Sequence, residues 1–232
     1  MSHSGLLRRY LVFFAGVLCS ALGISLITLA GMGTSAVSSL AYVLTYVFPG
    51  VSLGTFTFLV NCVMLGGQIL VLRRKFQLIQ LLQIPATFVF SFCIDLWMSL
   101  LPGLVPQSYA GHWVVLLLGC TSLGFGVALE VIPNVLILPC EGFVRVCSQE
   151  FGWDFGKTKT GYDLTMVAAA TLLSLLALVV LLDLGAIYGL REGTVVCALT
   201  VGFISRFFCK RLAFLVKKPE QPQLSHVDVP AA

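Results

Sequence analysis

From Tyr10 to Leu72 the chain carries no Asp, Glu, Lys, Arg or His, a run of 63 residues. A bilayer core is crossed by about 20 helical residues. The run is therefore too long for two crossings and barely enough for three. Gly31-Met32-Gly33-Thr34-Ser35 interrupts its middle. The rest of the chain has the same character. Charged residues make up 10% of it, hydrophobic residues 58%, and mean hydropathy is +1.00. A soluble domain would carry about 25% charged residues. The composition implies an all-α polytopic membrane protein, because spanning segments must satisfy their own backbone.

Apolar stretches at Tyr10–Ala30, Leu53–Leu72, Leu78–Leu101, Trp113–Ile132, Leu164–Leu182 and Thr194–Leu215 each have the length of a span. Ser35–Phe48 and Pro139–Gln149, at 14 and 11 residues, are short for a crossing. The first apolar run continues past a normal signal-peptide core and lacks a cleavage box, so it reads as a retained first helix. The eight cysteines fall in spans or on the expected cytosolic side, which predicts small-residue packing rather than a disulfide framework.

Basic residues alternate along the chain. Arg8 and Arg9 precede span one, Arg73-Arg74-Lys75 follow span two, and Arg145, Lys157 and Lys159 follow span four. Lys210, Arg211, Lys217 and Lys218 close the chain, whereas Pro102–His112 has no Lys or Arg. Positive residues concentrate on the cytosolic side, so both termini are expected in the cytosol. Trp97 and Trp113 flank the third loop as an interfacial belt would.

The chain also repeats. CSALGIS (19–25) lies over CTSLGFG (120–126), SAVSSLAYVLTYVF (35–48) over PCEGFVRVCSQEFG (139–152), and SLGTFTFL (52–59) over GKTKTGYD (156–163). QIPATFVFSFCIDLW (83–97) follows GTVVCALTVGFISRF (193–207) more weakly. Each half reads as span, short helix, span, span. Three spans per half is an odd number, so the second half enters from the opposite side. The predicted fold is six transmembrane helices in one membrane domain, 1–215. It consists of two inverted three-helix repeats, about 8–101 and 112–215, each with a short broken or re-entrant helix. Residues 216–232 are expected to be a disordered cytosolic tail.

Inverted repeats are the plan of many secondary transporters, in which broken helices present N-termini near the midplane. Such N-termini offer free N–H groups and partial positive charge. Gly31 and Gly33 let the chain leave span one, and Thr34 or Ser35 suits an N-cap. Pro139 suits the first turn of the second short helix. Ionisable groups at membrane depth mark function by default. Asp95 lies toward the outer end of span three, while Glu130, Glu141, Asp163 and Arg206 are expected to converge on the cytosolic side. Glu141 and Arg145 stand at i,i+4, the spacing of a helical ion pair. Asn61, mid-span two, reads either as interhelix glue or as a solute contact. Gly16/Ser20 and Ser122/Gly126 are small-residue pairs that suit packing of spans one and four.

REGTVVCALTVGFISRFF (191–208) resembles the Gly-Thr segment that closes the YitT/YczE family of small bacterial membrane proteins. LPCEGFVRV (138–146) resembles that family's Pro-x-(Asp/Glu)-Gly segment, and GMGTSAVSSLAY (31–42) its first Gly-x-Gly segment. The likeness spans about residues 8–212. QIPATF departs from the Gly-Thr expected in the first half. The resemblance implies a multi-pass protein of the bacterial inner membrane.

The expected function is a carrier for a small polar solute, an anionic one included. The candidate solute-binding residues are Gly33, Thr34, Ser35, Asn61, Asp95, Glu141, Asp163 and Arg206. The alternatives are a binding subunit that needs an energising partner, and a non-transporting accessory protein. No nucleotide-binding loop, His-Glu zinc box or Ser-His-Asp order is present, so an enzyme is not expected. Nothing points to a cofactor, a metal or nucleic acid. The expected partners are the bilayer and the solute, with a homo-oligomer left open.

Overall fold

The computed structural model describes residues 3–104, 108–181 and 191–212, all helix, turn or coil. The helices are α1 (His3–Leu29), α2 (Ser39–Val47), α3 (Leu53–Leu72) and α4 (Gln83–Leu100), then α5 (Tyr109–Val131), α6 (Pro139–Phe151), α7 (Phe155–Leu181) and α8 (Glu192–Leu212). Among the described residues five segments are long and apolar enough to cross a membrane: Leu6–Leu29, Leu53–Lys75, Leu78–Leu100, Tyr109–Val131 and Glu192–Leu212. The expected fifth span, Leu164–Leu182, falls within α7 up to Leu181, and Leu182 lies outside the described residues. The first part of α7 is polar, with Lys157, Lys159 and Asp163. The expected tail, 216–232, also lies outside the described residues.

The two short segments are helices, α2 with 9 residues and α6 with 13. At about 1.5 Å per residue neither can reach across a hydrocarbon core of about 30 Å. Gly31 (φ 65°) and Gly33 (φ 117°) make the turn out of α1, in a backbone region that side chains disfavour. Pro139 opens α6 at its first position, and Gly152 (φ 66°) closes it in the left-handed conformation. The expected cap of α2 is corrected by one turn. The N-cap is Ser38, and Ser35 closes the turn before it by accepting the Ser38 N–H at 3.3 Å.

α1 and α5 cross at the centre of the molecule. A Cβ at Gly16 would lie 2.8 Å from the Gly126 carbonyl oxygen, and one at Gly119 would lie 2.8 Å from Ile27 Cγ1. Small residues thus let the two backbones touch, as their spacing predicted. Ser122 Oγ adds a bond to the Cys19 carbonyl at 2.9 Å. Around this pair α4 packs on α1 and α8 on α5, α6 packs on α3, and α2 on α7. Large apolar side chains such as Leu70, Phe88, Leu118, Leu199 and Phe203 face outward, which is stable only where lipid is the surrounding solvent.

Candidate functional site

Polar side chains meet inside the fold around the N-terminus of α6. Asn61, buried on α3, accepts the Cys140 N–H on its side-chain oxygen at 3.3 Å. It also donates to the Thr57 carbonyl one turn back at 2.9 Å. Gln68, two turns along α3, donates to the Pro139 carbonyl at 2.9 Å and to the Gln83 side chain of α4 at 3.1 Å. Both glutamines are buried. The glue reading of Asn61 therefore holds in this conformation. It supplies one acceptor to the orphan donors of a helix start.

On the far side of α6 the charges gather. Lys159 of α7 places its ammonium 3.3 Å from Glu141 Oε1 and 3.1 Å from Asp163 Oδ1. The three side chains are each about a quarter exposed (28%, 25% and 27% for Glu141, Lys159 and Asp163), so the cluster reaches solvent without lying on the open surface. The ammonium also stands 5.5 Å from the centre of the Tyr162 ring. Burial alone would lower the Lys159 pKa, but the Glu141 and Asp163 charges outweigh it and hold it raised. Burial raises the Asp163 pKa, and the Lys159 charge offsets this only in part.

The expected pairing of Glu141 with Arg145 is corrected here. Arg145 points instead to Asn134 Oδ1 at 3.5 Å. The i,i+4 spacing that pairs Lys159 with Asp163 on α7, together with the reach across to α6, wins over spacing within α6. The expected convergence is also smaller than the sequence suggested. Glu130 is held in the α1–α5 crossing by the Ser20 hydroxyl at 2.6 Å. Arg206 is exposed on α8 and forms no ion pair with Glu130, Glu141 or Asp163.

Asp95 serves the start of α3. Its carboxylate accepts the Ser52 hydroxyl at 2.6 Å and the Gly54 N–H at 2.8 Å, an anion at a helix N-terminus. Gly33 and Thr34 are clasped by the start of α8, and Ser35 bonds forward to Ser38. The Gly193 N–H donates to the Met32 carbonyl at 2.9 Å, and the Thr34 N–H donates to Thr194 Oγ1 at 3.3 Å. Arg191 adds a bond to the Gly31 carbonyl at 2.7 Å, and His112 Nδ1 lies 2.7 Å from the Ala30 carbonyl. Two of the three segments that resembled a family in sequence, 31–42 and 191–208, are therefore contact partners.

Of the eight candidate residues the structure brings Asn61, Glu141 and Asp163 to one region, and Gly33, Thr34 and Ser35 to another. Asp95 and Arg206 stand apart from both. Sequence reasoning missed Lys159, Tyr162, Gln68 and Gln83 as members. The uncharged amide Gln68 inside an apolar run was the available signal.

Residues 7–210 match a family of unknown function, DUF6198. The chain belongs to this family. It is 28% identical over 204 residues to the "Uncharacterized membrane protein YczE" of Bacillus subtilis (strain 168), covering 87% of this chain and 86% of that protein. The YitT/YczE-like resemblance is thereby established along nearly the whole membrane domain, as is membrane location in several apolar helices. No solved structure matches. Among the described residues no group of three His, Cys, Asp or Glu side chains is placed to hold a metal ion.

Proposed function

We propose that this DUF6198 member is a carrier for a small polar solute, built as two inverted repeats in a bacterial inner membrane with both termini in the cytosol. The observation that carries the reading is α6. It is too short to span, yet it starts inside the protein on buried amides and lies beside a half-open charged cluster. Irregular backbone at membrane depth is tolerated where it is buried in protein or lines a water-filled cavity.

The helix packing supports the repeat. Exchanging α1–α4 with α5–α8 maps the α3·α6 contact onto α7·α2, α1·α4 onto α5·α8, and α2·α3 onto α6·α7. Each of these pairs is packed, and α1·α5 maps onto itself. The name of the Bacillus subtilis relative, a membrane protein, agrees with the setting and carries no substrate.

The test is uptake by cells making the wild-type chain or Asp163→Asn, screened over amines, amino acids and organic acids. A carrier gives at least one solute whose uptake needs the chain and falls in the variant. If no solute separates chain-bearing cells from controls, the carrier reading fails.

A further inference from the structure

The α6 N-terminus does not suit an anion. Its Cys140 N–H is already taken by Asn61, and Glu141 stands in its first turn. Glu141, Lys159 and Asp163 together carry a formal charge of minus one. Two carboxylates 3.3 and 3.1 Å from one ammonium, with an aromatic ring 5.5 Å away, form the coordination that recognises an ammonium group. In this structure the guest is the chain's own Lys159.

Two further observations point to a ligand. The Tyr162 hydroxyl is buried, in a residue 7% exposed, and its neighbour there is the Cys140 thiol, a weak hydrogen-bonding partner. A buried hydroxyl served only by a thiol gains free energy when a stronger partner arrives. The Tyr162 ring also lines a cleft of about 620 Å³ between α6 and α7, with Phe143, Trp153, Lys157 and Gly161. At Gly161 a Cβ would meet nothing within 4 Å, so the cleft is open there. Lys157 and Asp154 both line the cleft and their formal charges cancel, so its aromatic side chains suit an apolar body.

We infer that Glu141, Asp163 and Tyr162 form a binding site for an organic ammonium with an apolar body, which displaces Lys159 and lays that body in the Phe143–Trp153–Tyr162 cleft. The inference deepens the carrier reading by naming its substrate class, and it rests on that reading only for the step of transport.

Chemical rescue tests it on the full chain in detergent without any flux assay. Lys159→Ala empties the guest position. Benzylammonium should then raise the melting temperature of Lys159→Ala by about 3–5 °C over sodium at equal ionic strength. Methylammonium should need about tenfold more for the same shift, since it leaves the cleft unfilled. Gly161→Phe added to Lys159→Ala should erase that tenfold preference. Benzoate, with the same body and the opposite charge, should give no shift. An equal response to benzoate, or an unchanged benzylammonium response in Lys159→Ala/Glu141→Gln/Asp163→Asn, overturns the site.

If Lys159→Ala does not survive extraction, the wild type supplies the readout. Acylation of Lys159 by an amine-reactive ester, followed by mass spectrometry, should rise severalfold with the non-reactive benzyltrimethylammonium over sodium, and no rise overturns the site. Rescue without uptake of any amine removes the carrier and leaves the site. Uptake without rescue removes the site and leaves the carrier.

Discussion

The side-chain oxygen of Asn61 and the backbone N–H of Cys140 lie 3.3 Å apart, joining the middle of α3 to the first turn of α6. The bond decides how a short helix can start inside an apolar protein. Replacing Asn61 by Leu keeps the volume roughly and strands the N–H. The cost of an unsatisfied buried donor is about 1–3 kcal/mol. Asn61→Leu should therefore lower the melting temperature in detergent by several degrees. Asn61→Asp keeps an acceptor and should fall between the two. Equal melting of wild type and Asn61→Leu would mean that water already serves Cys140.

The clasp between α8 and the α1–α2 turn ranks three glycines. A Cβ at Gly193 would lie 2.5 Å from the Met32 carbonyl oxygen, and one at Gly33 would press on Thr194 from a φ of 117°. At Gly31 the φ is 65° and the space is open. Overpacking costs about 1–3 kcal/mol, and a left-handed backbone adds to it. Gly193→Ala and Gly33→Ala should both reduce the yield of folded protein more than Gly31→Ala. Fluorescence-detected size exclusion of the three variants reads the order, and a worse result for Gly31→Ala would refute the clasp.

Much of this architecture was legible in the chain. The charge-free run, Gly31 and Gly33, and Pro139 located the first two spans and both short helices, because length, backbone freedom and the missing proline N–H are local properties. Gly16, Ser20, Ser122 and Gly126 likewise announced the α1–α5 crossing. The site was less legible. Whether Glu141 takes Arg145 or Lys159 depends on how α6 lies against α7, which no spacing within either helix encodes. Asp95 read as functional because it is ionisable at depth, yet its partners, Ser52 and Gly54, belong to another helix start.

The topology can be read by labelling. In a cysteine-free background, a Cys at Ser108 should react with an impermeant maleimide added outside intact cells, and a Cys at Gln77 should react only after permeabilisation. Both positions are exposed. The opposite pattern would invert the orientation. Labelling of both from outside would break the three-span repeat.

Two lysines should part company. Lys75 pairs with Glu150 at 2.7 Å with its side chain 70% exposed, and exposed pairs contribute about 0–1 kcal/mol. Lys75→Ala should leave the melting temperature nearly unchanged. Lys159→Ala leaves two carboxylates beside each other in partial burial and should lower it by several degrees at neutral pH. High salt should soften that loss by screening the repulsion. Similar effects from the two variants would mean that the Lys159 cluster is no more than a surface pair.

Asp163 separates binding from scaffolding through its pH dependence. Its pKa is raised, first by burial, with Lys159 pulling the other way and losing. A raised folded-state pKa means that the folded chain holds the proton more tightly than the unfolded chain does. The stability from this group is then fully present below the ordinary Asp value of about 3.9 and is lost as pH rises through the folded value. Above that folded value the ionised Asp163 is a net cost. Asp163→Asn removes that cost while Lys159 keeps Glu141, so its melting temperature at pH 7 should equal or exceed that of the wild type. As pH rises from the ordinary Asp value through the raised folded value, the wild type should lose stability relative to Asp163→Asn. A carboxylate kept at a thermodynamic cost is what a binding role requires, and uptake should fall in the same variant. If Asp163→Asn melts several degrees lower at pH 7, the carboxylate is a strut between α6 and α7, and the case for a solute there falls with it.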